Sequence, residues 1–174
     1  MSSRSNLAAK TLLSLATLLL AAWTAAASAQ CGGAPSPDAA LRRVNAERAQ
    51  GVGCHGSPGT AKAPLRWNTG LAAVAVAQSD DMAALRQMSH RDSRDRPLPA
   101  RLDAMGYRYS TAVENVAVGY ASLDTVVDAW LASDGHCANL MNAAVVELGL
   151  ACSDANADGG DRYWTLVLGA PSRR

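Results

Sequence analysis

The sequence lacks most of the signatures by which a short chain announces its chemistry. It contains no C-x-x-C pair, which argues against zinc held on cysteines. It contains no H-E-x-x-H, so no helix carries a ready-made metal site. No serine or cysteine sits beside an evident base, and no catalytic residue is assigned. Internal repeats are absent, and low complexity is confined to the alanine-rich N-terminus. Charge is scarce, at 18% of residues with a formal net of +1. There is no basic stripe for nucleic acid and no polybasic amphipathic helix for an anionic membrane. Arg91, Arg94, Arg96 and Arg101 cluster, but Asp92, Asp95 and Asp103 alternate with them, which reads as a solvated loop.

What is present begins with an export signal. Arg4 and Lys10 precede the apolar run Thr11–Ala22, and Ala27-Ser28-Ala29 supplies the small residues a signal peptidase reads. Residues 1–29 are therefore expected to be removed near Ala29, which takes the formal net charge from +1 to −1. The apolar run is short for a membrane span, and no other is longer, so the mature chain is expected to carry no transmembrane segment. The destination is secreted or periplasmic. All four cysteines, Cys31, Cys54, Cys137 and Cys152, lie beyond the cleavage point, as expected of disulfides in an oxidising compartment. Four cysteines allow three pairings; the local one, Cys31–Cys54 with Cys137–Cys152, is the expectation.

Residues 30–36 read as a tether, 37–170 as one domain and 171–174 as a tail. Pro37 and Asp38 open a helix that Gly51 ends. Leu65–Asn68 is a short extended run. Leu71–Met88 is the longest helix, with Leu71, Val74, Ala75, Met82 and Leu85 on one face, interrupted only by Gln78. Leu98–Met105 is a short helix closed by Gly106, and Leu123–Ala132 an amphipathic one capped by Ser122. Tyr107–Ser110 and Glu114–Tyr120 are extended pieces, and Ser133–His136 a turn. Ala144–Cys152 and Arg162–Gly169 flank the turn signal Asn156–Asp161 as a β-hairpin. Helices first and a hairpin last argue an α+β domain with an antiparallel sheet.

Several blocks along this chain resemble one known family. They are Val44-Asn45-Ala46-Glu47-Arg48, Leu65-Arg66-Trp67-Asn68, Asp81-Met82-Ala83, Ser89-His90, Gly106-Tyr107, Glu114-Asn115-Val116-Ala117, Ala129-Trp130, Gly135-His136-Cys137-Ala138-Asn139-Leu140, Glu147-Leu148-Gly149 and Tyr163-Trp164-Thr165. In order and spacing they resemble the CAP superfamily (cysteine-rich secretory proteins, antigen 5 and pathogenesis-related 1 proteins), and its small exported bacterial members in particular. Val113 stands where the family usually has Gly, and Asp134 where it has Pro. The resemblance implies a three-layer α/β/α sandwich with a central antiparallel sheet. It also implies a cleft formed by His90, Glu114, Asn115 and His136. His90, His136 and Glu114 would hold a divalent metal such as zinc, which folding would not require. The family's second acidic residue has no counterpart here, since Asp134 cannot be equated with it.

Without the family, His90 is a loop residue, His136 a turn residue and Asn115 a residue bonding local backbone. His55 reads as an exposed loop residue, and Trp67, Trp130 and Trp164 read as core. Three functions are compatible with the sequence: a ligand-binding or cell-envelope module for a lipid, glycan or protein, a metal-assisted hydrolase of peptides or esters, and an inert extracellular scaffold.

Overall fold

A computed structural model describes residues 35–54, 56–156 and 161–172. The signal segment, Cys31, His55, the Gly159-Gly160 part of the hairpin turn and the last two arginines lie outside them. The described residues form five helices and four strands. In chain order these are α1 (Pro37–Gln50), β1 (Arg66–Trp67), α2 (Thr69–Leu85), α3 (Leu98–Ala104), β2 (Tyr109–Val118), α4 (Leu123–Leu131), α5 (Asp134–Leu140), β3 (Glu147–Asp154) and β4 (Arg162–Pro171).

Local chemistry sets the boundaries. The Ser36 hydroxyl accepts from the Ala39 amide, Pro37 takes the first helical position, and Gly51 closes α1 in the left-handed region at φ 67°. Asn68 caps α2 through the Leu71 amide. That helix stops at Leu85 rather than running to Met88, because Arg86 turns left-handed. Ser122 and Thr125 make a capping box at the start of α4. The two extended pieces expected around residues 107–120 are one strand, β2, with an irregularity between Tyr109 and Thr111. The expected turn at Ser133–His136 is instead the entrance to α5, which has seven residues. Two turns are too short to display a period, and Ser-Asp-Gly reads as a breaker while serving here as a helix start.

The sheet order is β1-β3-β4-β2. The hairpin expected from sequence is β3–β4, antiparallel from Glu147↔Gly169 to Asp154↔Arg162, and β2 extends it antiparallel on β4. The two-residue β1 joins β3 in parallel, so the sheet is mixed rather than wholly antiparallel. Strand alternation divides the core. Leu148, Leu150, Trp164, Leu166 and Leu168 point to one side, against Ala40 and Val44 of α1, Val126, Val127 and Trp130 of α4 and Leu140 of α5. Ala151 and Val167 point to the other side, against Leu71, Val74 and Ala75 of α2 and Leu102 of α3. Helices thus cover both faces in an α/β/α sandwich. Gly149 lets α2 approach β3: a Cβ there would lie 2.1 Å from the Ala72 nitrogen.

One disulfide differs from expectation. Cys54 pairs with Cys137, 83 residues away, with a Cα separation of 5.7 Å. The expected Cys31–Cys54 and Cys137–Cys152 bridges are both excluded by it. Cys152 lies five residues into β3, and a strand rising about 3.3 Å per residue carries it roughly 16 Å from the start of that strand. There it is buried in the α1/α4 side of the core. Cys137, fully buried in α5, faces the loop after α1 instead, with Sγ 3.9 Å from the Gly53 carbonyl.

A histidine cleft at the edge strand

Because β2 pairs only with β4, its other side is an edge of the sheet, and the histidines expected at the site come to it from opposite layers. His90 lies in the loop between α2 and α3. Its Nδ1 is 2.9 Å from Oε1 of Glu114 on β2. Oε2 of Glu114 is 2.8 Å from Nη1 of Arg101 on α3, an ion pair whose side chains are 3% and 4% exposed. The contact is electrostatic rather than an aligned hydrogen bond. Glu114 is therefore enclosed between an imidazole and a guanidinium, with both oxygens engaged. The imidazole is 60% exposed, so Nε2 is the nitrogen left for the cleft.

His136 lies on α5, and that short helix is fixed at several points. Asn115, fully buried, donates through Nδ2 to the His136 carbonyl at 3.0 Å, and its Oδ1 accepts from Asn139 at 2.8 Å. The sequence reading of Asn115 as a bond to local backbone is replaced by one that spans two elements. Cys137 bridges to Cys54. At the other end, Arg48 of α1 donates through Nη1 to the carbonyls of Leu140 (2.7 Å) and Asn142 (2.9 Å), and through Nε to Ala63 (3.0 Å). A cation at a helix C-terminus meets the negative end of its dipole.

The electrostatics of the two histidines diverge. The hydrogen bond to Glu114 raises the His90 pKa above 6.5, and its charge adds to this; burial and Arg101 oppose it without reversing it. Burial lowers the His136 pKa below 6.5, and a positive charge on His90 lowers it further. His136 also lines an apolar groove of about 280 Å³ with Met88, Val116, Val118, Tyr120 and Trp130.

Of the residues expected at the cleft, the structure joins His90 to Glu114 and Asn115 to the His136 carbonyl; the sequence reading places Arg101 in a solvated arginine loop, and the structure does not. Arg101 is buried, and Asp92 of the same segment is also buried, accepting from Arg96 and the Arg94 amide. The missed signal was helical spacing: Leu98, Arg101 and Leu102 share a face of α3, and Leu102 is core. Among the described residues no three His, Cys, Asp or Glu side chains converge to hold a metal. The donor set fits, at most, an open site of two imidazoles, because Glu114 has no uncommitted oxygen.

An α/β/α sandwich with a His–Glu cleft at a sheet edge defines a CAP-type domain. The chain belongs to the cysteine-rich secretory protein family, whose pattern it matches over residues 41–168. It is 33% identical over 88 residues to a Bacillus subtilis protein named an uncharacterized membrane protein, YlbC, covering 51% of this chain and 25% of that one. It is 31% identical over 87 residues to YkwD, named an uncharacterized protein of the same organism, covering 50% and 34%. The aligned stretch thus spans about a quarter to a third of those relatives. In fold it is similar to an extracellular SCP-domain protein from Bacillus anthracis, with a TM-score of 0.59, 22% identity and coverage of 77% and 41%. It is likewise similar to an outer surface protein from Borrelia burgdorferi, with a TM-score of 0.61, 18% identity and coverage of 80% and 98%. No helix among the described residues is long and apolar enough to cross a membrane.

Proposed function

We propose that this CAP domain works outside the cytoplasm as a ligand-binding module whose cleft runs along the outer edge of β2. The observation that carries the reading is the double role of His136. It lines the apolar groove, and its carbonyl is held by Asn115, the strand neighbour of the Glu114 that anchors His90. A ligand with an apolar portion, such as a lipid tail or an apolar segment of a glycan-linked or protein partner, fits the groove and presents its polar end to the histidines. The signal-like N-terminus and the Cys54–Cys137 bridge support export to an oxidising compartment.

At the histidine end, Nε2 of His90 and the His136 ring are the candidate ligands of a weakly bound divalent ion such as zinc, with water completing its coordination. Glu114 then orients one imidazole rather than binding the ion. Folding does not require the ion, since core and disulfide already close the domain. The hydrolase reading rests on the His90–Glu114 pair alone.

The test is calorimetric titration of the mature protein with zinc at pH 7.5, beside the His90→Ala, His136→Ala double variant, together with NMR titration by decanoate. Zinc heats that vanish in the double variant, and decanoate shifts at the Met88 methyl and the His136 ring, are expected. Equal zinc binding in both proteins with no decanoate shift at those groups would leave the inert-scaffold reading standing.

A further inference from the structure

We infer that Arg101 and Gln78 are the positioning residues of the histidine end of the cleft, fixing both the path of the His90 loop and the ring nitrogen that His90 presents. The inference rests on the reading of His90 as a cleft group. Its basis is a run of three consecutive carbonyls, each held by a side chain from the layer behind. Gln78 of α2, fully buried, donates through Nε2 to the carbonyls of Ser89 at 2.7 Å and Arg91 at 3.2 Å. Between them, Nη2 of Arg101 donates to the carbonyl of His90 itself at 3.1 Å. A loop residue whose own carbonyl and both neighbours' carbonyls are captured has little freedom to swing, although its side chain is mostly in solvent.

Arg101 does more than hold backbone. Its Nη1 faces Oε2 of Glu114, while Oε1 of the same carboxylate faces Nδ1 of His90. A carboxylate buried without a cation is strongly disfavoured, and removing one member of a buried pair leaves the other charge uncompensated. Arg101 therefore keeps Glu114 in place as an acceptor. An acceptor opposite Nδ1 selects the Nδ1–H form of neutral imidazole and leaves the lone pair on Nε2. One guanidinium thus sets the backbone of His90 directly and its tautomer through Glu114. Gln78 has no such link to Glu114 and acts on the loop path alone.

The experiment reads each effect separately on mature, ¹⁵N-labelled protein. Long-range ¹H–¹⁵N spectra at pH 7.5 report the His90 tautomer, and backbone relaxation reports the order of its amide. In wild type His90 is expected as Nδ1–H with a rigid order parameter of about 0.85. Arg101→Met is expected to shift His90 towards Nε2–H. Arg101→Lys, which restores the charge but not the fork, should recover the tautomer in part. Gln78→Leu should keep the tautomer while the order parameter falls to about 0.6 or below. Should Arg101→Met fail to fold, Arg101→Lys and Gln78→Leu carry the test. An Nε2–H tautomer in wild type, or an unchanged tautomer in the folded Arg101 variants, or an unchanged order parameter in Gln78→Leu, would overturn the inference. These readouts need no ligand, so a wild type that binds no zinc would refute the metal reading without touching this one. If zinc does bind, affinity should fall about tenfold in Arg101→Met.

Discussion

Removing the Cys54–Cys137 bridge tests the fold and the cleft together. The bridge closes 83 residues. On the chain-entropy model, constraining a loop of that length in the unfolded state contributes about 4.5 kcal/mol, against about 3 kcal/mol for a loop of some fifteen residues such as Cys137 to Cys152 would close. A second bridge that already joined distant parts of the chain would shorten the effective loop and bring the larger figure down somewhat. At about 3–4 °C per kcal/mol for a domain of this size, the Cys54→Ala, Cys137→Ala variant should melt roughly 10–18 °C lower than wild type. Cys54→Ala alone keeps the buried Cys137 sulfur, so the difference between the two variants isolates packing from cross-linking. Calorimetry supplies the midpoints and a non-reducing peptide map the connectivity. The map should join Cys54 to Cys137; no described cysteine is free, and the one cysteine outside the described residues, Cys31, is then the expected partner of Cys152. Because Cys137 follows His136, losing the bridge should move the His136 ring signals more than those of His90. A map joining Cys137 to Cys152, or a loss below about 3 °C in a variant whose parent carries the Cys54–Cys137 bridge, would refute the reasoning.

Two further predictions concern packing and protons. Gly149→Ala places a methyl 2.1 Å from the Ala72 nitrogen and 2.3 Å from the Leu71 carbonyl carbon, so α2 must shift; a loss of about 2–3 kcal/mol in urea unfolding is expected, whereas Gly135→Ala meets nothing within 4 Å and should be close to neutral. The histidines should tilt the pH dependence of stability in opposite senses. His90, with its folded pKa raised above 6.5, stabilises fully below about 6.5 and loses that contribution as pH rises through the folded value; His136, with its folded pKa lowered, costs nothing above about 6.5 and destabilises as pH falls below it. Relative to wild type, His90→Ala should therefore gain stability on going from pH 6 to pH 8, and His136→Ala on going from pH 8 to pH 5, and parallel stability curves for all three proteins would contradict the assignment.

Legibility in the sequence followed the strength of local signals. The α1 ends were readable because Pro37, Asp38 and Gly51 each carry a positional chemistry, and the β3–β4 hairpin because two apolar runs flank a glycine turn. The α5 helix was not readable, since its stability comes from Arg48, Asn115 and the disulfide rather than from its own seven residues. The disulfide partners were misjudged for a related reason: nearness in sequence stood in for nearness in space, and an extended strand separates the two cysteines it was expected to join. The site residues came from family blocks, not from spacing, as His90, Glu114 and His136 occupy three different elements. Gln78 was visible as the one polar residue on an apolar helix face, but its task could not be read without the loop it holds.

The dipeptide Glu114-Asn115 shows why the cleft forms at this strand. Successive residues of a strand point to opposite faces, so Glu114 reaches Arg101 and His90 in the α2/α3 layer while Asn115 reaches the His136 carbonyl and Asn139 in the α4/α5 layer. Two adjacent residues thereby draw a loop and a helix from opposite sides of the sheet to the same edge. That edge is also guarded against pairing with another strand. The Glu114 carbonyl accepts from Asn139 at 3.2 Å, and the Val116 carbonyl from the Trp130 indole at 3.3 Å. With those acceptors occupied by side chains, an incoming extended peptide finds the hydrogen-bond ladder interrupted along the stretch that faces the groove. What the cleft offers a ligand is therefore side-chain chemistry, with apolar surface along Met88, Val118 and Tyr120 and imidazole at one end. On the ligand-binding reading proposed above, the same alternation that builds the site favours a ligand held by its apolar body and polar terminus over one that adds a strand to the sheet.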